Sequence, residues 1–156
     1  MRLKGNKVQP PKPKVIVIPR DDGDLIFMAQ SVLDFSEFDR LCPIPRPPKV
    51  HRPNQVSVED HSNSRYLEQI NKYNSLRFAW LIITSLRITD GLEWETVDYN
   101  NPETWEKYES ELKDSGFNQG EITALTAGVI EANSLDESRA REARERFLHT
   151  QDQVVV

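Results

Sequence analysis

The chain has 156 residues, of which 37% are hydrophobic and 29% charged, and its formal net charge is −5. This composition is typical of a folded protein with a modest core rather than of a disordered chain. The acidic balance disfavours a general nucleic-acid binder. No apolar run approaches the roughly 20 residues that a membrane span requires.

The N-terminal segment is basic and rich in proline, which predicts a flexible arm over residues 1–13. No apolar signal-peptide core follows it, so we expect the protein to remain in the cytoplasm in which it is made. Residues 1–20 carry six basic and no acidic side chains, whereas residues 93–114 carry eight acidic and two basic ones. This asymmetry fits either two solvated surfaces or self-association between arm and body.

A β-hairpin and a short helix are predicted next along the chain. The apolar runs 15–18 and 25–30 flank an Asp22-Gly23 turn, which is a hairpin signal because glycine tolerates positive φ. Asp34 is placed to cap a helix over residues 35–41, which Pro43 would end. The following stretch predicts an extended linker because it holds five prolines: Pro43, Pro45, Pro47, Pro48 and Pro53.

The rest of the chain has the periodicity and caps of helices. Residues 64–87 form the longest helical pattern, which becomes apolar nearly all round over 78–83 and therefore indicates a core position or a partner-covered surface. Asn101-Pro102 predicts a second helix start, with Gly116 as its end. Capping-box spacings predict two further helices beginning near 118 and 134.

These elements define a mainly α fold: a small helical domain with an N-terminal β-hairpin and a proline-rich linker. The predicted organisation is a basic arm, a hairpin with a short helix, a linker, a helical domain and a frayed tail, over residues 1–13, 14–42, 43–63, 64–148 and 149–156.

Few side chains suggest catalysis. The three histidines lack metal partners at ligand spacing, and the single Cys42 cannot form an internal disulfide, so both types are expected to be structural or solvated. The best catalytic candidate is an acidic cluster able to do acid–base work or hold a cation, formed by Glu93, Glu95, Asp98 and Glu103. We expect no enzyme activity and no cofactor or metal, and interpret Trp94 and Trp105 as packing residues between helices.

Two stretches carry a family resemblance: LEWETVDYNNPETWEKYESELKDSGFNQGEI and ANSLDESRAREARERFL. With the long helix before them they cover roughly residues 66–148, and they resemble tail assembly chaperones of long-tailed bacteriophages. The N-terminal VIVIPR, DLIFMAQSV and FDRLCP segments are similar to the front of such proteins.

The resemblance implies a non-enzymatic protein of the host cytoplasm. Its partners would be the phage tape-measure protein, which it keeps soluble, and the tail-tube protein, which it helps to recruit. Homo-oligomerisation stays open, as does the choice between core and partner groove for the candidate partner-binding residues Phe78, Trp80, Leu81, Ile83, Ile122, Leu125 and Val129. The alternatives are a minor virion structural protein, in the tail or connector, and an unrelated regulatory or DNA-binding accessory.

Overall fold

Helices dominate the fold, and three small sheets accompany them. The computed structural model describes residues 1–135 and 137–154, of which side chains are described through residue 150. The chain is 47% helical and 12% strand, a mixed and mainly helical fold.

Every sheet is a two-stranded antiparallel hairpin. In chain order the strands are β1 (Arg2–Leu3), β2 (Asn6–Lys7), β3 (Lys14–Ile18), β4 (Leu25–Ala29), β5 (Lys49–Val50) and β6 (Val58–Glu59), and they pair β1–β2, β3–β4 and β5–β6.

The predicted N-terminal hairpin is confirmed as β3–β4. Val15 lies opposite Met28 and Ile16 opposite Phe27. Because side chains alternate across a strand, one face carries Ile16 and Phe27 into the core while the other faces outward.

Two other hairpins were not predicted. In the arm, Lys4 and Gly5 both adopt positive φ, the conformation of a type I′ turn, and they join β1 to β2. In the linker, β5 and β6 pair Lys49 with Glu59, so the chain doubles back over residues 49–59 instead of remaining extended to 63. The prolines fix local φ but do not prevent pairing beyond Pro48.

The helices, in chain order, are α1 (Ser36–Leu41), α2 (Ser64–Leu86), α3 (Pro102–Trp105), α4 (Lys107–Asp114), α5 (Gln119–Asn133) and α6 (Glu137–Val154). The predicted helix over 102–116 is therefore divided at Glu106, where the backbone stays close to helical.

The helix ends follow the capping chemistry of the sequence. The Asn101 side chain accepts from the Glu103 N–H, and Asn118 forms a full capping box with Glu121. Gly116, at φ +90°, ends α4: its N–H bonds to the Lys113 carbonyl, in the Schellman pattern. At α1 the cap residue is Phe35, while Asp34 accepts from the Ser36 N–H and hydroxyl.

The last helix differs from its prediction at the C-terminal end. The predicted capping box from Ser134 to Glu137 includes Asp136, so this pattern lies partly outside the described residues. Helix α6 continues through Val154, whereas fraying was expected from residue 149. Residues 155–156 lie outside the described part of the chain.

The core lies between the inner face of β3–β4 and the helices α2 and α5. Helix α5 crosses directly over β3: a Cβ built on Gly128 would lie 2.6 Å from Ile16 Cγ1, so no other residue type fits without repacking. Phe38 of α1 and Trp105 of α3 close the core on the other side of α2, and both are fully buried.

Candidate partner-binding surfaces

Most of the candidate partner-binding residues lie in the core of the chain itself. Five of the seven are buried: Trp80, Ile83, Ile122, Leu125 and Val129. Leu81 is half-buried, and Phe78 keeps 41% of its surface exposed. Of the predicted set, Phe78 and Leu81 are thus the members that offer surface to a partner in this conformation.

Packing against α1 explains why α2 is apolar nearly all round near its end. The Trp80 ring centroid lies 5.2 Å from that of Phe35 and 5.6 Å from that of Phe38. The Arg77 guanidinium stacks over Phe35 at 4.3 Å and covers the outer side of this cluster. The short helix that precedes the linker therefore covers one side of α2, a contact that local periodicity does not reveal.

One face of α2 remains partly uncovered. Leu67 and Phe78 are exposed and Ile70 and Leu81 are half-buried, at the spacing of one helical stripe with Asn74 between them. The stripe is interrupted by this polar residue, so it is a moderate apolar surface rather than a continuous groove.

Helix α6 is the least covered of the helices over its described side chains. Among residues 137–150 every side chain is exposed except Ala140, which is half-buried. Ala140, Ala143 and Phe147 follow a spacing of three and four residues and form one apolar line, called here the α6 stripe. Arg144 and Arg146 flank this line on its two sides, whereas Leu148 points away from it.

The two tryptophans of the acidic segment are packing residues. Trp105 is fully buried, and its indole N–H donates to the Tyr99 carbonyl at 3.2 Å. Trp94 is half-buried against the core, and its indole nitrogen faces the Tyr99 phenol without a hydrogen bond of normal geometry. Burial raises the pKa of the Tyr99 phenol, an effect that the Trp94 indole and Arg87 oppose.

The acidic segment is organised by a carboxylate that was not among the catalytic candidates. Glu111 of α4 accepts from the Glu95 N–H at 2.6 Å, the Thr96 N–H at 3.0 Å and the Thr96 hydroxyl. Desolvation raises the pKa of Glu111, but these hydrogen bonds together outweigh it and leave the pKa below its ordinary value. Glu111 thus ties the loop after α2 to α4.

The structure does not gather the candidate carboxylates into one site. Glu93, Glu95 and Glu103 are exposed, and Asp98 accepts from the Asn100 N–H within its own turn. Within residues 1–135 and 137–154, no group of three histidine, cysteine, aspartate or glutamate side chains is arranged to hold a metal ion.

Comparison with protein families, curated proteins and solved structures finds no match to this chain. Among the helices described, none combines the length and apolar character needed to cross a bilayer.

Proposed function

We propose that this protein is a non-enzymatic tail assembly chaperone of a tailed bacteriophage that binds the tape-measure protein through helix–helix contacts and keeps it soluble. The observation that carries the proposal is the α6 stripe, an apolar line on a helix whose side chains are nearly all exposed. Together with the sequence resemblance over residues 66–148, it supports a function in which the partner is another helix.

Helix physics favours such a partner. Helix α6 has 18 residues and is about 27 Å long, and helices in proteins gain most of their stability from packing of an apolar face. A partner helix that covers Ala140, Ala143 and Phe147 would supply that packing. Because Arg144 and Arg146 flank the stripe, a partner with acidic residues beside its own apolar line fits best.

The tape-measure protein implied by the resemblance suits this surface. It is a long helical rod whose apolar stripes aggregate when they are exposed. Many copies of this chain, each bound weakly through α6, would hold one rod by avidity and leave it as tail-tube subunits take their place. The half-covered stripe on α2, with Phe78 and Leu81, is the second surface available to the same rod.

A matched pair of substitutions on α6 tests the proposal. Phe147 and Leu148 are exposed to 56% and 54%, but they point to different sides of the helix. Phe147→Asp and Leu148→Asp therefore carry the same charge and the same local helix penalty. We expect Phe147→Asp to abolish the soluble complex formed on co-expression with the tape-measure protein, and Leu148→Asp to retain it, as read by size-exclusion chromatography and mass spectrometry. Equal binding by the two variants would contradict a role for the stripe.

The alternative is a minor structural protein that remains in the virion. The proline-rich segment 43–48, which separates α1 from β5, suits a subunit that reaches a neighbour. Mass spectrometry of purified particles separates the two functions: a chaperone is absent from finished particles, whereas a structural subunit is present at a fixed copy number.

A further inference from the structure

The outer edge of β3 is unpaired, and the hydrogen bonds of β4 define which of its groups point outward. The Met28 N–H donates to the Thr89 hydroxyl at 2.9 Å, and that hydroxyl donates to the Met28 carbonyl at 3.1 Å. Met28 therefore points away from β3, so its opposite residue Val15 forms a non-hydrogen-bonded pair with it. By the alternation of the ladder, the N–H and C=O groups of Val15 and Val17 face the open edge.

The rest of the chain covers the outer edge of β4 and leaves the outer edge of β3 open. The C-terminal end of α2 and the residues just after it cover the outer edge of β4, where the Gln30 N–H also bonds to the Ser85 carbonyl at 2.9 Å. At the β3 edge, the Val15 and Val17 backbone groups have no hydrogen-bond partner within the described residues. An unpaired edge of β-branched residues is a template for another strand.

Side chains extend this template onto the outer face of the hairpin. Val15 and Val17, which are exposed to 55% and 49%, stand on this face directly beside the edge, whereas Ile26 and Met28 of β4 lie one strand farther from it. A strand added beside β3 would gain backbone hydrogen bonds at the edge and apolar contacts on this face. That combination is the basis of recognition by β-augmentation.

Prolines restrict the edge to a short window. Pro13 and Pro19 stand at the positions two residues before Val15 and two residues after Val17, where the next outward N–H groups would be. Proline has no N–H, so the edge donates from Val15 and Val17 alone over this stretch. Such a window selects a short strand and disfavours open-ended aggregation.

A second copy of the chain does not fit this edge in the register that pairs both outward valines. Antiparallel pairing of Val15 with Val17 of the second copy would place a two-fold axis perpendicular to the sheet, midway between the two Ile16 residues, so both helical layers would lie on the same face. Helix α5 lies directly over Ile16 through Gly128, and adjacent strands are only about 4.8 Å apart. Packed helices need about 8–10 Å, so the two α5 helices would overlap.

Charge indicates the ends of the segment that does fit. Lys12 precedes the edge strand and is exposed, while Lys14, the first residue of β3, pairs with Glu131. The turn at the other end of the strand carries three exposed acids: Asp21, Asp22 and Asp24. We propose that the β3 edge binds a short extended peptide segment of another protein, apolar at alternate positions, with an acidic residue near Lys12 and a basic residue near the Asp21–Asp24 turn. This inference is independent of the α6 stripe and of the proposed chaperone function.

The test uses the full chain and a displayed library of linear peptides with the pattern acid–apolar–x–apolar–x–apolar–base in both chain directions, so that parallel and antiparallel pairing are both sampled. Peptides enriched against the wild type are then measured against Val17→Pro and Ile26→Pro. Both substitutions remove an outward N–H from an exposed residue of the same sheet and no bond of the β3–β4 ladder, but only Val17 lies on the open edge.

We expect Val17→Pro to weaken peptide binding about tenfold or more, since it removes a backbone donor and places a proline ring where the peptide would dock. Ile26→Pro should change binding less than about twofold.

Hydrogen exchange on the unmodified protein gives a second readout that does not depend on a folded variant. Bound peptide should slow exchange at the Val15 and Val17 amides. Failure to enrich the pattern, equal binding by both variants or unchanged exchange at these amides would overturn the proposal. Sedimentation showing a dimer that Val17→Pro dissolves would overturn it as well, because the occupant would then be a second copy.

Discussion

At the residue scale, Trp105 is the side chain on which the packing around α2 most depends. It is fully buried, its ring centroid lies 5.8 Å from that of Phe38, and its N–H has an acceptor at Tyr99. We expect Trp105→Ala to lower the free energy of unfolding by about 3–5 kcal/mol, because it leaves a cavity and an unpaired carbonyl. Urea denaturation measures this, with the half-buried Trp94→Ala as a smaller comparison. Unchanged stability of Trp105→Ala together with loss of a partner would make it a binding residue instead.

Gly128 is a second position where one residue decides a contact between elements. Alanine there gains about 1 kcal/mol of helix propensity, but its Cβ collides with the buried Ile16 side chain, and overpacking costs about 1–3 kcal/mol. We therefore expect Gly128→Ala to be net destabilising.

A double-mutant cycle with Ile16→Ala identifies the cause of the Gly128→Ala effect. Alanine lacks the two Ile16 atoms, Cγ1 and Cδ1, that a Cβ at Gly128 would meet, so Gly128→Ala should cost less in the Ile16→Ala background than in the wild type. An equal cost in both backgrounds, measured by denaturant unfolding, would show that the close approach of α5 to β3 is not responsible.

At the element scale, Glu111 joins the loop before α3 to α4 in a pH-dependent way. Its folded-state pKa is lower than its ordinary value of 4.5, so its contribution to stability is complete above that pH and is lost as the pH falls through the folded-state pKa. We expect Glu111→Gln to destabilise the protein at pH 7. The difference between wild type and variant should shrink as the pH is lowered below about 4.5.

Urea denaturation at a series of pH values checks this prediction. Asp34 and Asp60 also have lowered pKa values, because each accepts hydrogen bonds from a serine two residues later, but they are present in both proteins and cancel in the difference. Glu109→Gln is the matched control, since Glu109 lies on the same helix and pairs with Lys113 at the surface. A pH-independent difference for Glu111→Gln would show that its carboxylate charge is not what holds the loop.

The elements that could be predicted from sequence are those determined by local chemistry. Asn101 and Asn118 cap helices with their own side chains, and the β3–β4 hairpin follows from two β-branched runs around a glycine turn. Division of the helix at Glu106 and the β5–β6 pairing over residues 49–59 have no comparable local signal.

At the scale of the whole molecule, the division between core and surface could not be predicted. Leu125 and Phe147 are both apolar residues on helices at regular spacing, yet Leu125 is buried under the hairpin and Phe147 is exposed. The difference depends on which helices the tertiary fold brings together, and that information is not local. The candidate site based on the most apolar residues therefore selected the core, while the exposed surfaces lie on α6 and on the edge of β3.

The same division predicts that α6 contributes little to the stability of the rest of the chain. A variant ending at Ser134 removes α6 but leaves the β3–β4 hairpin, α2 and α5, which enclose the core. Since about 1 kcal/mol shifts the melting temperature of a chain of this size by about 2–4 °C, we expect a change within about 2 °C. All three tryptophans precede Ser134, so their fluorescence reports unfolding of the remaining body, and circular dichroism reports the lost helix. A much larger fall in melting temperature would mean that α6 packs on the body in solution, and the α6 stripe would then be a covered surface rather than one that binds a partner.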